Sequence, residues 1–509
     1  MNQTRTYISI KNSIISLIAQ ISSIILSFIT RTFFIKYLNI EYLGLNGLFS
    51  DILTMLSFAE LGVGTAIIYL MYKPLSEKDE YKTSALMNLY SNIYKYIGIF
   101  IALSGLMLIP FLDILINGEY NISGIKGIYI LYLINSVISY FFTYKRSIII
   151  ADQHGYISKF NIIVFSLIQN IIQILILFYT QNFYLYLIIQ IICTLLSNIF
   201  ISIKANNMYP FLYKYKGAKV DKQTKTTLIK NVVAMMSSKL GSVIVSGTDA
   251  LLISAFVGIE SVALYSNYKL ISNTVKSIII QIIEPITATV GNITVTESKE
   301  YSYNIFKKIY FINLIIAFFV CTFLFALINP FITIWIGQKY ILDMKIVFMI
   351  VLNLYIIQMR QPSIIYINTY GLFWQIKWKS ILEAIINLVV SIFLLYYLHL
   401  GILGVLIGTF ISNVLTNVWW EPQVVFKYGF KISSVEYFIL LLRDIIIFVL
   451  NIIIVNKICV LFNYSNIGQI IINLIVALII SLLMFSIIYC KNKEFKYSIN
   501  LIKNIFVKK

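Results

Sequence analysis

The sequence is short of charge. Only 12% of its 509 residues are Asp, Glu, Lys or Arg, against 59% hydrophobic, and the mean hydropathy is +0.86. A soluble globular chain carries roughly 25% charged residues. With so few, the chain cannot clothe itself in a water-facing surface, so most of its exterior must meet lipid. Cysteine is scarce too. Cys193, Cys321, Cys459 and Cys490 are far apart and form no C-x-x-C pair, which excludes a metal or disulfide framework. The two histidines, His154 in an inner loop and His399 in a short outer turn, have no neighbours that suggest catalysis or metal binding. Acids are outnumbered 21 to 40, giving a net charge of +19. The lysines lie in short runs between apolar stretches and build no basic domain, which argues against nucleic acid as a partner. No cleavable leader is expected, because the first apolar stretch is too long and lacks a small-residue cleavage site. That stretch is expected to remain as a signal anchor.

A helix needs about 20 apolar residues to cross ~30 Å of hydrocarbon. Fourteen such stretches can be traced, at about 12–37, 43–70, 88–112, 124–144, 159–179, 183–203, 230–256, 262–291, 306–335, 346–367, 378–398, 401–425, 436–456 and 467–489. The first two are separated only by Asn39, Ile40 and Glu41. The expected fold class is therefore all-α integral membrane protein: two six-helix bundles, an accessory pair and both termini cytoplasmic. Positive residues mark the cytoplasmic side of a bilayer. With both termini inside, 28 of the 40 Lys and Arg fall in cytoplasmic segments, 6 in external ones and 6 within spans. A nearly fivefold bias that alternates across the whole chain supports both the count and the orientation. It fits a multi-pass chain; a bacterial cytoplasmic membrane is the location that the family resemblance given below implies.

The longest polar stretch, Lys204 to Lys230, has seven lysines and one acid, Asp221. It reads as a cytoplasmic linker able to touch anionic headgroups. The expected divisions are an N-terminal lobe (1–204), the linker (205–229), a C-terminal lobe (230–430), accessory helices thirteen and fourteen (431–490) and a basic tail (491–509). The halves repeat weakly. Thr30-Arg31-Thr32-Phe33-Phe34-Ile35, then Asn39-Ile40-Glu41, matches Thr248-Asp249-Ala250-Leu251-Leu252-Ile253, then Gly258-Ile259-Glu260, at an offset of 218 residues that becomes 219. Such copies would be related by an axis along the membrane normal; chance similarity between apolar segments is the alternative.

Polar residues at membrane depth cost roughly 2.5–3.5 kcal/mol when ionised, so they mark a pathway or a pair. Ser16, Gln20, Ser23, Ser27 and Arg31 recur on one face of the first span. Ser238, Ser242, Ser246 and Asp249 do so on the seventh, and Tyr265, Lys269, Ser272 and Lys276 on the eighth. Serine stripes also serve plain helix packing. Lys269 and Lys276 have no acid nearby in their own helix, and a wet cavity that binds an anion accounts for them better. Lys239 and Arg360, the latter two residues before Pro362, are further cavity cations. Asp249 is a candidate partner for Arg31 or Lys239, and Glu60 a further polar or gating group. Glu284-Pro285 suggests a bend in the eighth span. Arg443-Asp444 and Glu383 read as local pairs or interfacial groups, and Gly404 with Gly408 as a close-packing pair.

The segments YLGLNGLFSDIL (Tyr42 to Leu53), FAELGVGTAI (Phe58 to Ile67) and GTDALLISAFVGIESVALYSNYKLI (Gly247 to Ile271) resemble the second, seventh and eighth spans of Wzx-type polysaccharide flippases. The resemblance covers essentially the whole chain. That family sits in the multidrug/oligosaccharidyl-lipid/polysaccharide exporter superfamily, alongside the lipid II flippase. Membership implies two lobes facing a cationic cavity that opens alternately to each side. It also implies a polyprenyl-pyrophosphate-linked glycan as cargo, with membrane lipids, a polymerase and glycosyltransferases as partners. Arg31 is the nearest match to the opening-helix arginines of the lipid II flippase; the Lys269/Lys276 pair comes from spacing alone.

No cofactor is expected, though coupling to membrane potential or to a H+ or Na+ gradient fits the chemistry. Two other readings remain. A drug/cation antiporter of the same superfamily would present acids such as Asp249 and Glu60 to its cavity. A membrane-embedded polymerase or glycosyltransferase needs a large external loop, and the largest here, Asp113 to Lys126, has only about a dozen residues.

Overall fold

The computed structural model describes residues 2–60, 62–116, 122, 124–141, 143–152, 154–462 and 467–497. Among them it leaves undescribed the side chains of 2–19, 59, 65, 230–231, 234–235, 237–242, 246, 282, 284–285, 288–289, 292 and 295. Ser16, Ser238, Lys239, Ser242, Ser246, Glu284 and Pro285 thus lie outside the described side chains. The described chain is helical and contains no strand.

The helices are α1 (Asn2–Tyr37), α2 (Ile40–Leu56), α3 (Val63–Ser76), α4 (Glu80–Leu108), α5 (Ile125–Tyr140), α6 (Arg146–Ala151), α7 (Gly155–Thr180), α8 (Phe183–Met208) and α9 (Lys222–Phe256). There follow α10 (Ile259–Thr296), α11 (Lys299–Trp335), α12 (Met344–Met359), α13 (Gln361–Tyr370), α14 (Lys379–Tyr396), α15 (Ile402–Leu415), α16 (Asn417–Val424), α17 (Val435–Leu461) and α18 (Ile467–Tyr489). Ten helical stretches among the described residues are long and apolar enough to cross a membrane. Each expected span falls on a helix or on a broken pair. Polar residues start the helices where the apolar stretches begin. Asp79, Asn182, Asp221, Ser298 and Asp343 each accept a backbone N–H of the first turn, satisfying donors that have no partner within the helix.

The structure corrects the reading: four spans are divided into two helices each, and the expected span 88–112 ends in a 3-10 turn, Ile109–Phe111. A 3-10 turn, Ser57–Glu60, and Gly62 at φ 83° separate α2 from α3; glycine adopts that left-handed backbone without the Cβ clash. Another 3-10 turn, Thr143–Lys145, separates α5 from α6. Arg360 lies between α12 and α13, with Pro362 opening the second piece, and Thr416 lies between α15 and α16. The first turn is also tighter than expected, since Ile40 and Glu41 already belong to α2.

The chain forms two compact units, residues 1–263 and 264–509. In the first, α1 packs along α7, α7 along α8, α8 along α5, and α2 against α9. Glycine permits the closest approaches: a Cβ on Gly44 would lie 2.2 Å from the Ile259 carbonyl oxygen, and one on Gly247 2.9 Å from Met55 Cβ. Lipid offers helices no hydrophobic drive to associate, so polar side chains supply much of the specificity. Asn46 accepts from Tyr132 (2.5 Å), Asn161 donates to Ser197 (2.8 Å) and Gln173 to the Tyr186 carbonyl (3.0 Å).

In the second unit α11 is central, 61% of its apolar window being buried, against 11% for α7 in the first. Helices α12, α17 and α18 pack on α11. Asn451 donates to Thr322 and Ser481, and Asn473 to the Ala326 carbonyl. Asp444 ties α17 inward: its carboxylate accepts from Tyr310, Tyr489 and Arg443. The expected local pair Arg443–Asp444 therefore forms, with Asp444 fully buried. Gly404 and Gly408 pack as the spacing suggests; a Cβ on Gly408 would meet Ser391 Oγ at 2.1 Å.

Candidate functional site

An ionisable group sits at or just beyond each of the four helix breaks. Glu60 closes the turn after α2, Arg146 opens α6, Arg360 stands between α12 and α13, and Glu421 lies one turn into α16. Non-helical backbone at membrane depth persists only where protein or a wet cavity satisfies its polar groups. These breaks therefore mark the polar interior of each unit.

In the first unit, Glu60 and Arg146 line one cavity of about 310 Å³ together with Tyr94, Tyr140, Gln169 and Asn198. The Glu60 carboxylate accepts from Tyr94, and the Tyr140 hydroxyl lies within electrostatic reach of it. Buried in the same region, Arg146 Nε has no partner in the structure. Arg31 lies within electrostatic reach of the hydroxyls of Tyr132 and Tyr186. Gln20 and Asp249 both have partners, and Asp249 is buried. Ser27 is exposed and folds its hydroxyl back onto the Ser23 carbonyl at 2.7 Å.

In the second unit Arg360 is engaged rather than open. Its Nε and NH2 donate to the two oxygens of Glu421 at 2.9 and 2.7 Å, and NH1 donates to Asn413 at 2.7 Å. Lys379 donates to the same carboxylate. A guanidinium so occupied presents no free fork to a cargo phosphate in this arrangement. Below the pair, Glu383 accepts from Asn417 at 2.6 Å.

Lys276, on α10, is half-buried and close enough to Arg360 that the two cations repel. No carboxylate among the described side chains lies within salt-bridge distance of it. The structure thus brings together two of the predicted cations, Lys276 and Arg360, and adds Lys379. One turn and two turns back along α10 are Ser272, whose buried hydroxyl has no partner, and Lys269, which does have one. Tyr265 is buried. Arg360 and Lys379 share Glu421, and Glu383 lies within electrostatic reach of Arg360.

Lys379, Asn413, Asn417 and Glu421 were missed by the sequence reading. Asn413, Asn417 and Glu421 recur at steps of four, as do Glu383, Asn387 and Ser391. That periodicity marks two facing polar stripes as plainly as the one on α10. Lys379, at the very start of the expected span 378–398, is buried against Glu421.

No family model matches the sequence, and no curated relative is found. Solved structures do match. The lipid II flippase MurJ, in an inward closed conformation, aligns over 94% of this chain and 99% of its own, with a TM-score of 0.67 and 15% identity. An inward-facing multidrug resistance MATE family transporter of the MOP superfamily aligns over 78% of this chain and 94% of its own (TM-score 0.62, 14% identity). The Vibrio cholerae MATE transporter VcmN aligns over 83% and 98% (TM-score 0.54, 15% identity). Identities this low speak to architecture alone: the chain has the all-helical fold seen in MATE transporters and in the lipid II flippase.

Proposed function

We propose that this chain is a flippase that moves a polyprenyl-pyrophosphate-linked oligosaccharide from the inner to the outer leaflet of a bacterial cytoplasmic membrane. The observation that carries the reading is Lys276, a half-buried cation with no carboxylate within salt-bridge distance among the described side chains, beside a buried cluster in which Arg360 and Lys379 already take up Glu421. Such a group wants an anion. The match to the lipid II flippase along nearly the whole of both chains supports a lipid-linked cargo.

Cargo chemistry explains why a protein is needed. Each unbonded hydroxyl costs roughly 4–8 kcal/mol in hydrocarbon, so a few sugars forbid spontaneous crossing. A polar path lined by hydroxyls and amides lowers that barrier, and lysine meets pyrophosphate as a point charge. Lys269 and Lys276 are the cations assigned to the pyrophosphate, with Arg31 and Lys239 as further contributors. Transport proceeds by alternating access. A drug/cation antiporter would need an acid where Lys276 stands. Polymerase and glycosyltransferases of the same surface-polysaccharide pathway are the natural partners.

The test in cells is depletion of the protein. Lipid-linked oligosaccharide should accumulate in the inner leaflet while its synthesis continues. Undiminished export on depletion would overturn the reading.

A further inference from the structure

The basic linker after α8 is fastened to the first unit. Tyr209 donates to the Asp152 carboxylate at 2.8 Å, and Asn88 on α4 donates to the carbonyls of Tyr215 and Ala218 at 3.1 and 3.2 Å. The ring of Tyr81 meets that of Tyr215 edge-on at 5.8 Å. These contacts hold the linker against the end of the unit that the distribution of positive residues assigns to the cytoplasm. Two lysines distant in sequence converge there on Tyr213. Lys145, half-buried in the turn before α6, donates to Asn206 Oδ1 at 2.8 Å, and Asn206 Nδ2 donates to the Tyr213 hydroxyl at 2.6 Å. Lys216 places its ammonium 5.3 Å from the centroid of the Tyr213 ring.

The two ammonium groups are close enough to repel. No carboxylate among the described side chains lies within salt-bridge distance of either. Asp152 is engaged by Tyr209 and His154, and Asp221 by Thr224. Holding like charges together is unfavourable unless an opposite charge is shared between them. Lys145 gives one of its three N–H groups to Asn206, and Lys216 is exposed. Both therefore have hydrogens to offer an oxyanion.

We propose that Lys145 and Lys216, braced by Asn206 and Tyr213, bind the phosphate of an anionic phospholipid headgroup in the inner leaflet. The source of the phosphate follows from α8. Leu196, Phe200 and Ile203 form an exposed apolar stripe at steps of four and three, and Asn206 continues it one turn later. A lipid whose acyl chain lies along that stripe brings its phosphate to the turn of Asn206, where both lysines are held. Tyr213, 55% exposed, stands at the same level, as aromatic side chains do where hydrocarbon gives way to headgroups. Lysine meets the phosphate as a compact point charge. The bound headgroup would clasp the linker to the first unit.

This inference does not depend on the identity of the cargo, and it is tested without cargo. The full chain in a neutral detergent is titrated with phosphatidylglycerol, and hydrogen–deuterium exchange of the linker amides is followed by mass spectrometry. Phosphatidylglycerol should slow exchange in the linker of the wild type, while phosphatidylcholine and inorganic phosphate should not. Lys145→Gln combined with Lys216→Gln should raise the midpoint by roughly tenfold or more, since one lysine beside an anionic surface contributes about fivefold. Lys219→Gln combined with Lys222→Gln removes the same charge from exposed linker positions and should leave the midpoint in place. An equal shift in that control pair would assign the effect to diffuse charge and overturn the site. Protection by inorganic phosphate would assign it to a soluble anion, and no protection by phosphatidylglycerol would overturn the proposal outright. Should the first double variant fail to fold, Lys216→Gln decides alone, because its side chain is exposed.

Discussion

Arg360 and Glu421 meet fork to fork: two guanidinium nitrogens donate to two carboxylate oxygens at 2.9 and 2.7 Å, sixty-one residues apart in sequence. The pair joins two helix breaks, that between α12 and α13 and that beside α16. Lys379 reaches the same carboxylate, which leaves one acid between two cations. Removing the acid strands both. Glu421→Ala should therefore cost about 3–5 kcal/mol, the range for breaking a buried ion pair. Thermal unfolding of the purified protein checks this, and a midpoint within a degree or so of the wild type would contradict it. Arg360→Ala should cost less, because Lys379 remains to neutralise Glu421.

Gly408 is where α15 presses on α14. A methyl group there would fall 2.1 Å from Ser391 Oγ and 3.0 Å from the Ser391 nitrogen. The hydroxyl can swing aside but the backbone cannot. Gly408→Ala should destabilise by about 1–3 kcal/mol, the usual cost of overpacking. Gly217, with nothing within 4 Å, serves as the control: Gly217→Ala should leave thermal unfolding unchanged.

Asp221 caps α9 from outside the membrane. Hydrogen bonds from the Thr224 hydroxyl (2.7 Å) and the Thr224 N–H (2.8 Å) hold its carboxyl below the ordinary 3.8. A depressed folded-state value means that the cap is fully present above the unfolded value and is lost as pH falls through the folded one. Protection of the Thr224 and Lys225 amides, relative to their intrinsic exchange rates, should therefore fall only below about pH 4, where carboxyls take up protons. Asp221→Asn keeps the cap but should abolish this pH dependence. An acid-induced loss of protection that survives in Asp221→Asn would contradict the assignment.

Voltage should help an anionic cargo outward. A charge of about −2 leaving a compartment held 100 mV negative gains roughly 4–5 kcal/mol, at ~2.3 per charge. In proteoliposomes, an imposed inside-negative potential should speed outward flipping. Rates indifferent to potential and to ion gradients would remove this part of the account.

Much of the fold was legible because lipid imposes a simple rule on sequence. Where apolar residues run for about 20 positions, the backbone must satisfy itself as a helix. Asn182, Ser298 and Asp343 then mark the helix starts. The breaks were not legible, because hydropathy stays high across Ser57–Gly62 and across Arg360. Gly62 and Pro362 stand at two of them, and neither was read as a break. Of the site, Lys276 was readable from its helical spacing with Lys269. The fate of Arg360 was not, since Glu421 reaches it from two helices away and one-dimensional spacing cannot report such a pair. Lys379 misled for a different reason: it sits at a helix start, where lysine usually points to headgroups, yet here it turns inward.

The most direct test of the account is flipping itself. The purified protein would be reconstituted in vesicles that carry a polyprenyl-pyrophosphate-linked oligosaccharide, with transbilayer movement read by accessibility to a glycan-cleaving enzyme outside. The wild type should expose the inner-leaflet pool, and Lys269→Ala combined with Lys276→Ala should abolish that exposure while the protein folds and inserts normally. Full flipping by the double variant would move the anion site elsewhere, and no flipping by the wild type, in a preparation shown to be folded, would contradict the assignment of this cargo.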